Sequence, residues 1–109
     1  MYWLKDKNAP FATFLNVLQA YCHPEVRHDN YAMLIERAKE GRPDDAKMAT
    51  FKQELIQLLQ GHREGLRPGA IDVAAAYDDF DTDDEFLVWL WHELYPDEPA
   101  PASAVAESD

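Results

Sequence analysis

Apolar residues recur along this chain at intervals of three and four, and prolines and glycines break the pattern into blocks. No two alternating runs flank a hairpin turn, so the pattern predicts an all-α protein with no sheet. Phe11, Phe14, Leu15 and Leu18 form the first stripe. The spacing predicts a helix that opens near Asn8, a good N-cap, with Pro10 in the tolerated first turn. It should close before Pro24, because the residue preceding a proline avoids the helical region. Tyr31, Leu34, Ile35 and Ala38 mark a second helix from Asp29 to Lys39, with Gly41 as its C-terminal cap. Met48, Phe51, Leu55, Leu58 and Leu59 mark a third, from Pro43 to Gln60, with Asp44 and Asp45 at its positive end and Gly61 after it. Little but Arg42 and Pro43 separates the second helix from the third, and so short a connection predicts antiparallel neighbours.

The last helix carries the clearest local signal. Thr82-Asp83-Asp84-Glu85 is a capping box, and the three acids also suit the positive end of the helix dipole. Phe86, Leu87, Trp89, Leu90, Trp91 and Leu94 follow before Pro96 ends the helix. A helix this apolar either lies at the centre of the core or presents aromatic surface to a partner. Residues 62–69 read as a loop. Residues 70–77 fit a short helix with Ile71, Ala74 and Ala75 inward or a brief extended piece, and the helix is favoured because alanine is the strongest helix former. The expected fold is a single-domain bundle of four to five helices over residues 1–96. A flexible acidic tail is expected over 97–109, where small residues and Pro99 and Pro101 predominate.

Composition fits one helical domain: 109 residues, 47% hydrophobic and 12% aromatic, suffice for a single core. Charge changes the picture more. Residues 1–67 hold nine acids and ten bases, whereas residues 68–109 hold twelve acids and no base. A net charge of −11 excludes a conventional binder of nucleic-acid backbone, which needs surplus Lys and Arg. Cys22 is the only cysteine, so no internal disulfide is possible and a reducing cytoplasm is the expected compartment. The opening MYWLKDKNAPF does not read as a secretory leader, and no apolar run is long enough to span a membrane.

Six carboxylates crowd into residues 78–85. Asp83, Asp84 and Glu85 are accounted for by the helix start; Asp78, Asp79 and Asp81 are not. Close like charges repel by some tenths of a kcal/mol per pair, which a cationic partner would relieve. Asp79-x-Asp81-x-Asp83 imitates the opening of a calcium loop. However, its sixth position is Asp84 rather than Gly, and its twelfth is Leu90 rather than Glu. His92-Glu93 lacks the second histidine of a zinc-protease helix, and His23, His28 and His62 stand apart. Cys22 beside His23 has no identifiable orienting residue or oxyanion donor. No catalytic residue, metal or cofactor is therefore expected, and the chain reads as a binding protein rather than an enzyme. Tyr77 and Phe80 flank the acids, and aromatic anchors rimmed by charge are what tight protein interfaces use. The candidate contact residues are Tyr77, Asp78, Asp79, Phe80, Asp81, Asp83 and Asp84, with Asp72 and Glu93 as extensions.

Phe11-x-x-Phe14-Leu15 followed by Tyr21-x-His23 resembles the opening of one group of contact-dependent growth inhibition immunity proteins. Phe51-x-x-Glu54-Leu55-x-x-Leu58-Leu59 and Phe86-Leu87-x-Trp89-Leu90 are similar to that group's middle and final helices. The likeness spans residues 11–95. After Tyr21-x-His23 the chain differs from the group, with Pro24-Glu25-Val26-Arg27 in place of an acidic and aromatic turn. The resemblance implies a small helical cytoplasmic protein that neutralises one cognate toxin domain, often a nuclease such as a tRNase, whose substrate groove is basic. An acidic face would fit such a groove. The alternative is an adaptor or regulatory module that docks a basic partner unrelated to toxins. A third possibility is a metal-dependent enzyme or a calcium site that uses the same carboxylates. A monomer is expected.

Overall fold

The computed structural model describes residues 2–6, 8–67, 69–77 and 80–101, with only the backbone course for Tyr2, Leu4 and residues 24–29. Every regular element among them is a helix: α1 (Tyr2–Lys5), α2 (Ala12–Tyr21), α3 (Pro24–Glu40), α4 (Ala46–Leu59), α5 (Ala70–Ala75) and α6 (Asp83–Leu94). The fold is all-α, with five helices preceded by a single turn, and it forms one compact globule around one core. α2 is the hub. It packs against α1, α3, α4 and α5, while α6 closes the other side of the core against α3 and α4. Phe14, Leu15, Val17 and Leu18 of α2 lose all contact with solvent, as do Leu34 of α3, Phe51, Leu55 and Leu58 of α4, Ile71 of α5, and Leu87 and Leu90 of α6.

The first helix starts later than Asn8. Asp6 takes the local hydrogen bonds instead: its Oδ1 accepts the Asn8 N–H at 3.0 Å and its carbonyl accepts the Ala9 N–H at 3.1 Å, which closes a turn. Phe11 then reverses the chain in the left-handed region (φ 62°), and α2 begins at Ala12. A bulky residue in that region costs about 1–3 kcal/mol, so the surroundings must hold it. They do so from two sides. Glu54 reaches over from α4, where its Oε1 accepts the Phe14 N–H at 2.9 Å and its carboxylate also draws on the Phe11 N–H. Gly65 lies so close to Pro10 that a Cβ there would come within 2.6 Å of the ring Cγ. The cap of α2 is thus supplied 40 residues away in sequence.

Pro24 both ends α2 and opens α3, as its ring suits a first helical position. α3 therefore begins five residues before the expected Asp29. Gly41 follows it in the left-handed region (φ 53°), as the sequence predicts. Helix α4 begins at Ala46 rather than Pro43, because Asp45 is its N-cap and accepts the Met48 N–H at 3.2 Å. Arg37 also grips Asp45, its Nη2 lying 2.8 and 3.0 Å from the two carboxylate oxygens, while its Nη1 donates to the Tyr21 hydroxyl at 2.8 Å. Burial alone would raise the Asp45 pKa, but the Met48 N–H and the Arg37 guanidinium outweigh it and hold that carboxyl below the usual range. This corner joins α3 to α4, yet the two helices are not the packed antiparallel pair expected from their short connection. α2 and α6 lie against both of them and take up the apolar faces.

Two aromatic features were not legible as elements. Trp3 is buried and its indole N–H donates to Gln19 Oε1 at 3.0 Å, which fastens α1 to α2. Beyond α6, where a flexible tail is expected from residue 97, the Trp91 indole N–H donates to the Glu98 carbonyl at 2.9 Å and Lys52 Nζ lies 2.7 Å from the Glu98 carboxylate. Residues 102–109 of that expected tail lie outside the described residues.

Burial raises the Glu54 pKa above its ordinary value of 4.5, against the opposing pull of the Phe14 and Phe11 amides. A raised acid pKa means that the folded state binds the proton more tightly. The associated stability is complete below the unfolded value and is lost as pH rises through the folded one. Glu54→Ala removes the cap and should cost about 0.5–2 kcal/mol at pH 7. Glu54→Gln keeps an acceptor without the charge and should lose less. The gap between wild type and Glu54→Gln in denaturant midpoint should shift in favour of wild type as pH falls from 7 to 4. Parallel pH profiles for the two proteins would show that the carboxyl does not titrate in this way.

Candidate functional site

The residues singled out for contact gather where α5 gives way to α6. α5 is short and rich in alanine, and Ala70, Ile71, Ala74 and Ala75 are buried against α2, so the two helices approach closely. The inward set Ile71, Ala74 and Ala75 is the one predicted. Ala76 caps α5 in the left-handed region (φ 48°), with its N–H bound to the Asp72 carbonyl at 2.6 Å, and turns the chain towards α6. Asp78 and Asp79, the next two candidates, lie outside the described residues.

Tyr77 and Phe80 turn inward more than an interface anchor would. The Tyr77 ring stacks on Phe86 with centroids 5.0 Å apart and planes 11° from parallel. Phe80 meets Tyr77 and Phe86 edge-on, at 6.1 and 5.8 Å, and lies 5.4 Å from Trp89. Trp89 in turn stacks on Tyr31 of α3 at 6.0 Å, and the Tyr31 hydroxyl donates to Glu93 at 3.1 Å. Five rings therefore run from the α5–α6 connection to α3 and lock the connection to the core. Each such pair adds about 0.5–1.5 kcal/mol to what burial supplies. Tyr77 and Phe80 remain half-buried and serve as the floor of the site.

The carboxylates divide into two groups. On one flank the Tyr77 hydroxyl donates to Asp83 Oδ1. Burial first, then Asp83, then the charges of Asp72 and Glu85 push the Tyr77 pKa well above its ordinary value, so the phenol stays protonated and donating. Asp72 of α5 and Asp83 and Glu85 of α6 are thus brought around one hydroxyl. The capping box forms as the sequence predicts, with the Glu85 N–H donating to Thr82 Oγ1 at 3.2 Å. Its return bond goes one residue further out, from the Asp81 N–H to Glu85 Oε2 at 3.1 Å. Asp81 keeps its own carboxylate exposed.

Asp84 faces the other way and pairs with Arg63 Nη2, a group that also donates to the Leu58 carbonyl at 3.3 Å. Arg63 Nε is buried with no hydrogen-bond partner among the described residues. Sequence reasoning missed this pair because Arg63 belongs to the loop ahead of α5, 21 residues away. Glu93, the expected extension of the patch, sits instead at the Tyr31 end of the aromatic row. The carboxylates that face solvent beside the Tyr77 floor are those of Asp72, Asp81 and Glu85.

Of the two described acids of the calcium-like spacing, Asp83 accepts from the Tyr77 hydroxyl and Asp81 keeps its carboxylate exposed. Among the described residues no three His, Cys, Asp or Glu side chains are grouped to hold a metal ion. His62 and His92 are exposed, and Cys22 is buried at the end of α2. No helix among the described residues is long and apolar enough to cross a membrane. The chain matches no family model, no curated protein and no solved structure.

The ring row predicts an order of costs. Phe80→Ala removes three ring contacts from a half-buried position and should cost about 2 kcal/mol, below the 3–5 typical of a fully buried phenylalanine. Tyr77→Phe keeps the stack and loses one charge-assisted hydrogen bond at a partly exposed site, so about 1.5 kcal/mol is expected. Denaturant midpoints give the two costs, and near-ultraviolet circular dichroism from Trp89 should change for Phe80→Ala alone. The reverse order would mean that the hydroxyl, not the rings, fastens the connection.

Proposed function

We propose that this chain is an immunity protein. It binds a cognate toxin domain of nuclease type and neutralises it with the acidic face at the α5–α6 junction. The observation that carries the reading is the set of exposed carboxylates Asp72, Asp81 and Glu85 mounted on a fixed aromatic floor of Tyr77 and Phe80. A fixed floor matters because an ordered surface loses less freedom on binding than a mobile one. Asp78 and Asp79 precede Phe80 in sequence and add two more charges to the same connection. The likeness of residues 11–95 to contact-dependent growth inhibition immunity proteins supplies the partner class, and the charge supplies the chemistry: a basic groove built for RNA or DNA.

The inhibitor covers that groove and keeps substrate out, and it performs no reaction of its own. Opposite charge also speeds encounter, with association constants up to about 10⁸–10⁹ M⁻¹s⁻¹ at low salt, and a cell that makes a toxin needs its inhibitor to arrive first. Asp83 and Asp84 contribute less than their charge suggests, because Tyr77 and Arg63 already occupy them.

The test is co-purification with the product of the neighbouring gene, which should be a toxin, followed by binding kinetics across a salt series. Asp78→Asn, Asp79→Asn and Asp81→Asn combined should slow association by about tenfold at low salt and flatten its salt dependence. Asp81→Asn with Glu85→Gln should act in the same direction. Unchanged rate and unchanged salt slope in both variants would overturn the acidic-face mechanism.

A further inference from the structure

At the other end of α6, about 18 Å from the acidic junction by the rise of a 12-residue helix, lies a cleft of opposite character. Its volume is about 370 Å³, within the range of small-ligand sites. Four of the ten cations of the chain line it: Arg37, Lys39 and Arg42 from the end of α3 and its connection, and Lys52 from α4. The remaining walls are Ala, Gly and Met residues with Tyr95 at the end of α6. Lys52 is held in place by aromatic faces, its Nζ lying 4.6 Å from the centroid of Tyr95 and 5.8 Å from that of Trp91.

The cleft already holds an anion. Glu98 is its one acidic lining residue, and a carboxylate oxygen of Glu98 sits 2.7 Å from Lys52 Nζ. The Trp91 indole N–H, bound to the Glu98 carbonyl at 2.9 Å, delivers this residue to the spot. Burial and the Glu98 charge together push the Tyr95 pKa up to about 12, so the phenol beside the carboxylate stays neutral.

We infer that this cleft is a binding site for a small oxyanion with two or more charges, a phosphate ester or a polycarboxylate, and that Glu98 is its built-in competitor. The energies favour exchange. The Lys52 and Glu98 side chains are 33% and 50% exposed, and exposed pairs of this kind contribute little to stability. A ligand with two anionic groups engages Lys52 together with Lys39 and Arg42. One carboxylate on one lysine cannot match that. Arg37 is not a ligand group here, because Asp45 and Tyr21 hold it, and its role is to shape the wall. Arg42, 3.3 Å from Glu40 and largely exposed, is free to turn. Lys39 has no ion pair among the described residues. When the ligand enters, the Glu98 carboxylate leaves, and the segment after α6 loses its ion pair with α4. The site is separate from the acidic junction and does not depend on the function proposed for it.

The test is a titration of the full chain with inorganic pyrophosphate and, separately, with citrate at low salt, followed by two-dimensional nuclear magnetic resonance. Saturable shifts should appear at Lys39, Arg42 and Lys52 and at the Trp91 indole N–H as Glu98 departs. Glu98→Gln should tighten binding about two- to fivefold by removing the competitor. Lys52→Gln and Lys39→Gln should each weaken it about fivefold or more. Lys47→Gln, on the same helix but outside the cleft, should leave it unchanged. Pyrophosphate bound more tightly than citrate assigns a phosphate ester, and the reverse order a polycarboxylate. Shifts that spread over all cations without saturating, or a Glu98→Gln variant that binds no more tightly than wild type, would overturn the inference.

Discussion

The attachment of α2 to α4 is the constraint on which the remaining packing rests. Phe14 stacks on Phe51 with centroids 5.1 Å apart and planes 15° from parallel, and neither ring is exposed to solvent. One turn further along α4, Glu54 closes the open amides at the start of α2. The first contact is apolar and without direction, and the second is polar and directional. Together they set both the position and the axial register of α2. α1 and α5 pack on α2, and α5 fixes where the α5–α6 connection begins. The geometry of the acidic face is thus inherited from a hydrophobic stack and a carboxylate on the far side of the core.

The charge asymmetry of the chain is smaller in space than in sequence. Arg63 and Lys52, both from the nearly neutral first part, reach Asp84 and Glu98 in the acidic part. These pairs are partly exposed and so contribute little to stability. Their effect is on the surface pattern. They remove two carboxylates from the acidic total and leave Asp72, Asp81, Asp83 and Glu85 as the described carboxylates on the Tyr77 flank. At the opposite end of α6 the same economy works in reverse, since Glu98 masks a lysine.

How much was legible in the sequence follows from how local each cause is. The Thr82–Glu85 box, the Gly41 and Gly61 stops and the inward side of α5 depend on neighbours within a few residues, and each is found where periodicity and capping rules put it. The start of α2 could not be read locally, because its cap comes from Glu54, and Asn8 looked the better candidate only in the absence of that partner. Pro24 is both a stop and a start, since one ring geometry serves both. The length of their connection alone predicts that the second and third helices pair. Loop length limits distance, whereas the wide apolar face of α6 decides which helices touch. In the site, the aromatics and the capping acids were legible. The Arg63–Asp84 pair was not, because it depends on the course of the loop over residues 62–69.

A count of what folding requires separates structure from surplus at the acidic junction. A helix start needs one acceptor for its open amides and gains from acids in its first turn, by about 0.3–1 kcal/mol each. Thr82 provides the acceptor, Glu85 the return bond, and Asp83 and Asp84 the first-turn charge. Asp81 adds nothing to this, since only its backbone N–H is used, whereas Asp72 is exposed but sits in the first turn of α5, where an acid has the same local use. Like charges at such spacing oppose one another by amounts similar to what the dipole returns. The Asp81 carboxylate therefore contributes close to nothing to the stability of the fold, and the basic partner proposed above would give it a role that packing and capping do not.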